Sequence, residues 1–340
     1  MVDNVLYRFC YLPSHEYGPR RHHSYSPSTG VRPDAIPTIF SASGQKAAWK
    51  FIEFFTANIR NVNTRLAYAR AVCQFSSWCE SRHLTLEQLN PFLVAAYVEE
   101  LGETLSKPSV KQHLAAIRML FDFLVIGQVL PMNPASSVRG PRYSIKKGKT
   151  PVLTAEETRI LLDAIDVTKI AGLRDRALIG VMVFSFARVG AVLGMNLEDY
   201  YPQGKRWWLA LHEKGGKHHQ VPTHHKAQDY LDAYIQAAGM EGRKGVPLFQ
   251  RLDRRRQLNE DRLHPQEALA MIKRRARKAG LGETICNHTF RATGITTYLR
   301  NGGTVEKAAQ ISNHESTRTT QLYNRTSDEV SLDEIEIILI

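Results

Sequence analysis

Between Pro131 and Pro151 the hydrophobic periodicity of the chain stops. The stretch PMNPASSVRGPRYSIKKGKTP holds prolines, glycines and the bases Arg139, Arg142, Lys146, Lys147 and Lys149, with no apolar repeat that a helix or strand could bury. The apolar residues on its two sides cannot belong to one continuous element, so the chain has to build two cores joined by a cationic linker. Its 340 residues are enough for that. The expected division is an irregular arm over 1–43, rich in Pro, Ser, Tyr, His and Arg; a helical domain over 44–130; the basic linker over 131–151; and a second domain over 152–340 that ends in a tail at 327–340.

Helical spacing fills the first domain. Trp49, Ile52, Phe55 and Ile59 recur along one face, then Leu66, Ala69, Val72, Phe75 and Cys79 along another. Asn90-Pro91 pairs a capping residue with proline at the first helical position and opens a third helix. Val110, Leu114, Ile117, Leu120, Phe121 and Leu124 form a stripe that makes 109–125 a fourth, with Lys107, Lys111, His113 and Arg118 on its polar side. In the second domain Thr154-Ala-Glu-Glu157 is a capping box. A single β signal interrupts the helices: RWWLALHEKGGKHHQVP, residues 206–222, alternates at Trp207, Leu209 and Leu211, and Gly215-Gly216 permits the positive φ of a tight hairpin before Val221. The fold class is therefore read as mainly α with a small β-sheet, in two domains.

The formal charge of +12 directs attention to a polyanionic partner, since clustered Lys and Arg gain affinity by releasing counterions from a phosphate backbone. A generally basic surface with no such partner stays open on charge alone. Cys10, Cys73, Cys79 and Cys286 are scattered without a C-x-x-C pair, which argues against a zinc site or a disulfide framework and for reduced thiols. No apolar run is long enough to span a bilayer and the first residues contain no continuous apolar segment, so a cytoplasmic location is expected.

The chemistry concentrates in HTFRATGITTYLRNGGTVEKAAQISNHESTRTTQLYNR, residues 288–325. His288 and Arg291 stand at i and i+3, on one side of a helical turn, and can converge on one anion. Asn301-Gly302-Gly303 ends that helix, Thr304 caps another that runs to about Ser312, and His314 follows in a short turn. Ser316 can cap a last helix carrying Tyr323, nine residues beyond His314.

These residues resemble the active-site region of the tyrosine recombinase (phage integrase) family, whose signature is H-x-x-R, a glycine-histidine turn, and a tyrosine nine residues on. FSFARVGAVLGMNLEDY is similar to the family's first arginine motif, with Arg188 in the arginine position, and EKGGKHHQVP to the hairpin that carries its lysine, aligned on Lys214. The unit over 44–127 looks like the family's core-binding (SAM-like) domain. Two departures stand out. Where the family often has Thr-Gly-Leu before the arginine and an acidic residue three positions after it, this chain has Ser185, Phe186, Ala187 and then Ala191. Where it has Leu-Gly before the second histidine, this chain has Ser312-Asn313, and asparagine enters left-handed backbone readily.

The resemblance implies a C-shaped two-domain clamp around double-stranded DNA and a site-specific recombinase. Its catalytic residues would be Arg188, Lys214, His288, Arg291, His314 and Tyr323. It also implies a tyrosine nucleophile, a 3′-phosphotyrosine intermediate, strand exchange through a Holliday junction in a tetramer on paired sites, action at the nucleoid, no cofactor and no metal. Accessory proteins are left open. In that scheme the two arginines clamp the phosphate, His288 takes the tyrosine proton, Lys214 protonates the departing 5′ oxygen and His314 donates to the phosphate. Lys217 is the alternative acid. The histidines at 212, 218, 219, 224 and 225 are the alternative reading as a metal cluster. The basic runs at 251–256 and 273–278 are read as phosphate-facing, and the tail as a segment that docks into a neighbouring protomer. A non-catalytic DNA-binding protein on the same fold and a type IB topoisomerase remain as competing functions.

Overall fold

The computed structural model describes residues 36–144, 148–213 and 216–324. The chain divides into two compact units, one ending at Ser144 and the other beginning at Ile145. Most of the N-terminal arm, Lys214 and the C-terminal tail lie outside the described residues.

The first unit is helical. After a short turn at Thr38–Ser41 come α1 (Gln45–Glu53, continued by a π-helical turn over Phe54–Asn58), α2 (Val62–Glu80), α3 (Pro91–Thr104) and α4 (Lys107–Ile126). Local chemistry explains the boundaries: the Asn61 side chain accepts from Thr64 N–H at the start of α2, and Asn90 accepts from Phe92 and Leu93 with Pro91 at the first position of α3. Phe40, Phe51, Phe54, Phe55, Phe75 and Phe121 are all fully buried and pack edge to face or offset. Trp49 corrects the expected stripe. It is 58% exposed, because the buried face of α1 is centred on Ala47 and Phe51, roughly opposite it on the helical wheel, with Ile52 at the edge. Arg118 also differs from its reading as a surface base. Its Nε donates to Ala135 O at 3.0 Å and its Nη2 to Val138 O, which seats Ala135 and Val138 in the first core.

In the second unit, α5 (Ala155–Asp163) opens with the expected Thr154/Glu157 capping box. There follow α6 (Ile170–Phe184), α7 (Val189–Gly194), β1 (Tyr200–Gln203), β2 (Arg206–Glu213), β3 (Lys217–Pro222), α8 (His225–Ala237), β4 (Gln250–Leu252), β5 (Leu258–Arg262), α9 (Pro265–Lys278), α10 (Asn287–Arg300), α11 (Val305–Ile311) and α12 (Thr317–Gln321). Strands β1, β2 and β3 form an antiparallel sheet in that order, with Leu209 opposite Val221 and Glu213 opposite Lys217, and β4 and β5 form a separate ribbon. The observed architecture is mainly α with small antiparallel sheets.

Helix α6 is the hub, buried over most of its circumference, with α8 and α10 packed on it. Helix α9 is tied to it by charge: Asp175, fully buried, accepts from Arg174 at 2.8 Å and from Arg275 at 2.7 Å. Arg275 therefore belongs to a buried network, which leaves Lys273, Arg274, Arg277 and Lys278 as the exposed bases of that run. Helix α10 approaches the end of α6 closely at Gly294, where a Cβ would lie 2.1 Å from Val183 O and 2.6 Å from the Phe186 ring, so no larger residue fits. No helix among the described residues is long and apolar enough to cross a membrane. Cys79 and Cys286 are free thiols, and Cys10 lies outside the described residues.

Candidate active site

Two corners of the second unit supply the site. The first lies between α6 and α7, where Phe186 takes a left-handed conformation at φ +55°. A bulky residue pays a backbone penalty of about 1–2 kcal/mol there, and the family's glycine at this place would not. Phe186 recovers it by burial against Tyr298 and the α10 helix, its ring centroid 5.9 Å from that of Tyr298. Arg188 follows as the residue that starts α7. Its side chain is 43% exposed and its Nη1 donates to Glu213 Oε2 at 2.7 Å. Glu213 was not singled out from sequence, although the buried alternation Leu209, Leu211 continues to it.

The second corner is built on α10 and the turns after it. Arg291 is 1% exposed, and its guanidinium is held by acceptors that carry no net charge. Its Nη1 donates to Phe186 O, its Nη2 to Ser312 O at 2.7 Å and to His314 Nε2 at 2.6 Å, and its Nε is buried without a hydrogen-bond partner. Burial, then the charge of Arg188, push the Arg291 pKa down to about 10, so it stays protonated at neutral pH; Tyr323 and Glu213 pull the other way.

His314 sits after Asn313, which adopts φ +50° as the Ser-Asn turn allows. Because its Nε2 accepts from Arg291, the ring proton is on Nδ1, which donates to Thr320 Oγ1 at 2.8 Å. Burial and the charges of Arg291 and Arg188 lower its pKa to about 3. His288 keeps an exposed edge, yet the dense packing around its ring, followed by the same two guanidiniums, pushes its pKa below the ordinary imidazole value. Both imidazoles are thus neutral at pH 7.

Tyr323 is 8% exposed and lies in a turn two residues beyond α12, which corrects its expected place on that helix. Its hydroxyl is 2.7 Å from His288 Nε2, and donates to that nitrogen in the tautomer that carries the ring proton on Nδ1. Its own ring stacks on His314, with centroids 5.9 Å apart and planes 12° apart. Two hydrogen bonds to backbone carbonyls hold the segment, from Thr296 Oγ1 to Tyr323 O at 2.9 Å and from Gly148 N–H to Leu322 O at 3.0 Å. Arg188, His288, Arg291, His212, Glu213 and Asn287 line one cavity of about 530 Å³.

Five of the six residues singled out from sequence are therefore brought to one place, and Lys214 lies outside the described residues. Lys217, the alternative to it, pairs with Glu315 at 2.5 Å. Among the histidines of the hairpin, His212 faces Asp199 at 3.2 Å and His219 Nε2 donates to Ile311 O at 2.9 Å. No group of three or more His, Cys, Asp or Glu among the described residues is arranged to hold a metal ion.

Residues 151–329 match the model of the phage integrase family, and residues 52–127 match that of the phage integrase N-terminal SAM-like domain. The chain belongs to the phage integrase family. By that membership it is a tyrosine recombinase, an enzyme of site-specific recombination. It is 31% identical to the tyrosine recombinase XerC of Chlamydia muridarum over 234 residues, 68% of this chain and 70% of that one. It is 28% identical to XerD of Corynebacterium glutamicum over 77% and 87% of the two chains. Among solved structures it shares the fold of a XerH site-specific recombinase in a post-cleavage complex with difH, at a TM-score of 0.66 and 17% identity over 82% of this chain and 80% of that one. A lambda integrase dimer bound to a core site gives 0.62 and 17%, over 84% and 79%.

Proposed function

We propose that this recombinase cuts and rejoins duplex DNA through a 3′-phosphotyrosine intermediate on Tyr323. The observation that carries the reading is the 2.7 Å contact between the Tyr323 hydroxyl and a neutral His288, beside a cavity into which Arg188 and Arg291 both bring charge. A phosphodiester repels nucleophiles, and negative charge grows on its non-bridging oxygens as phosphorus becomes five-coordinate. Two guanidiniums that stay charged at neutral pH suit that demand.

In the step itself the Tyr323 oxygen bonds to phosphorus and its proton passes to His288 Nε2. The bond from phosphorus to the 5′ oxygen breaks, and that oxygen takes a proton from Lys214, leaving a 5′-hydroxyl. Reversal by the 5′-hydroxyl of another strand expels the phenolate, a better leaving group than an alkoxide. One phosphodiester is conserved throughout, which is why the cycle needs no external energy source. The donor role expected of His314 requires a proton on Nε2. In the present arrangement that nitrogen accepts from Arg291, so His314 orients the Arg291 fork until a phosphate competes for it.

Strand exchange would place four protomers on two DNA sites and pass through a Holliday junction, in the cytoplasm at the nucleoid. The family membership supports this, as does the shared fold with a lambda integrase tetramer bound to a Holliday junction. The test is covalent capture from a pool of duplexes with a randomised stretch and a strand nick. Denaturant-resistant protein–DNA adducts should form and should vanish in Tyr323→Phe. Binding without adducts, or adducts that persist in the variant, would sink the proposal.

A further inference from the structure

We infer that Glu213 is the positioning residue for Arg188, a carboxylate supplied by strand β2 in place of the acidic residue that position 191 lacks. The inference rests on the phosphate-clamp reading above. Glu213 occupies a place where packing alone would put an apolar side chain, since the alternation of β2 buries Leu209, Leu211 and Glu213 in turn. A carboxylate with 3% exposure is costly unless it is paired, and its hydrogen-bonded partner is Arg188 Nη1 at 2.7 Å. The same charge also bears on Arg291. Helix α7 packs against β2, and Ala191 on that helix lines the cavity that Glu213 and Arg188 share. The acid is therefore present in the site but enters from the sheet. An arginine as exposed as Arg188 would otherwise spread over many rotamers, and holding one nitrogen leaves the others to meet the phosphate. Glu213 directly precedes Lys214, the proposed general acid, in the sequence.

The experiment is single-turnover cleavage of a captured nicked duplex at saturating protein. It compares the unsubstituted enzyme with Glu213→Gln, Glu213→Asp, Arg188→Ala and the double variant Arg188→Ala/Glu213→Gln, with DNA affinity and Tm measured alongside. Glu213→Gln should cleave roughly 10–100-fold more slowly, with affinity within about twofold. Glu213→Asp, which keeps the charge on a shorter arm, should fall between it and the unsubstituted enzyme. Once Arg188 is gone, the glutamine should slow cleavage by less than about twofold further. Unchanged cleavage in Glu213→Gln, an aspartate variant slower than the glutamine one, or additive slowing in the double variant would each overturn the inference. Unimpaired cleavage by Arg188→Ala would instead overturn the clamp reading on which it stands.

Discussion

Arg188 and Arg291 face one cavity but are held in opposite ways. Arg188 is an exposed guanidinium fastened by a buried carboxylate, whereas Arg291 is a buried guanidinium fastened by two backbone carbonyls and an imidazole. The first is neutralised by its partner and held through one nitrogen. The second is an uncompensated charge that the fold has closed around, with its pKa lowered to about 10 as the sign of that cost. The difference teaches that a site can fix one charge through packing and the other through pairing. Equal consequences of equal substitutions would break that distinction.

The largest effect is expected at the buried member. Arg291→Lys cannot serve Phe186 O, Ser312 O and His314 together, so adduct formation should fall more than about 10³-fold. Unfolding free energy should drop by about 2–3 kcal/mol, because buried acceptors lose donors. Arg188→Lys keeps a cation for Glu213 and loses only the planar fork, so cleavage should fall roughly 10²-fold with less than about 1 kcal/mol of stability lost. Urea unfolding alongside adduct assays checks both, and matching stability losses would contradict the contrast. Thr320→Val removes the acceptor of the His314 Nδ1 proton, and with it one of the two bonds that orient the ring. It should slow cleavage by about tenfold at most, with about 1 kcal/mol lost.

The smallest effect at neutral pH is its titration. An imidazole whose folded pKa lies below its unfolded value of about 6.5 makes the unfolded chain bind more protons. Its contribution is intact above about pH 6.5 and is lost as pH falls through the folded value, which for His314 is about 3. Stability should therefore decline as pH falls from about 6.5 towards 3, and His314→Gln should flatten that decline. Cleavage should keep its neutral His288 to a pH below the ordinary imidazole range, so an acid limb centred above 6.5 would contradict the direction of the His288 shift.

Much of this was readable without coordinates where the causes are local. Asn90-Pro91, the Thr154/Glu157 box, the Thr304 cap and the left-handed Asn313 each depend on a few neighbouring residues, and all appear as expected. So does the β2 alternation. What escaped depends on contacts across the chain or on weak patterns. Glu213 and Arg188 are 25 residues apart and meet only because α7 lies on β2. Strand β1 is four residues long with Pro202 inside it, and β4 and β5, QRL and LNEDR, carry no apolar alternation. The partners of Arg118 and Arg275 likewise turn apparent surface bases into internal fasteners.

The turn at Phe186 has a further consequence. Its carbonyl serves Arg291 while its backbone direction launches Arg188 two residues later, and its ring is seated in the space that Gly294 leaves open. Any substitution that relaxes this single peptide corner shifts both cations at once, so evolution or design can tune the pair as a unit from one position, but cannot retune either half there alone.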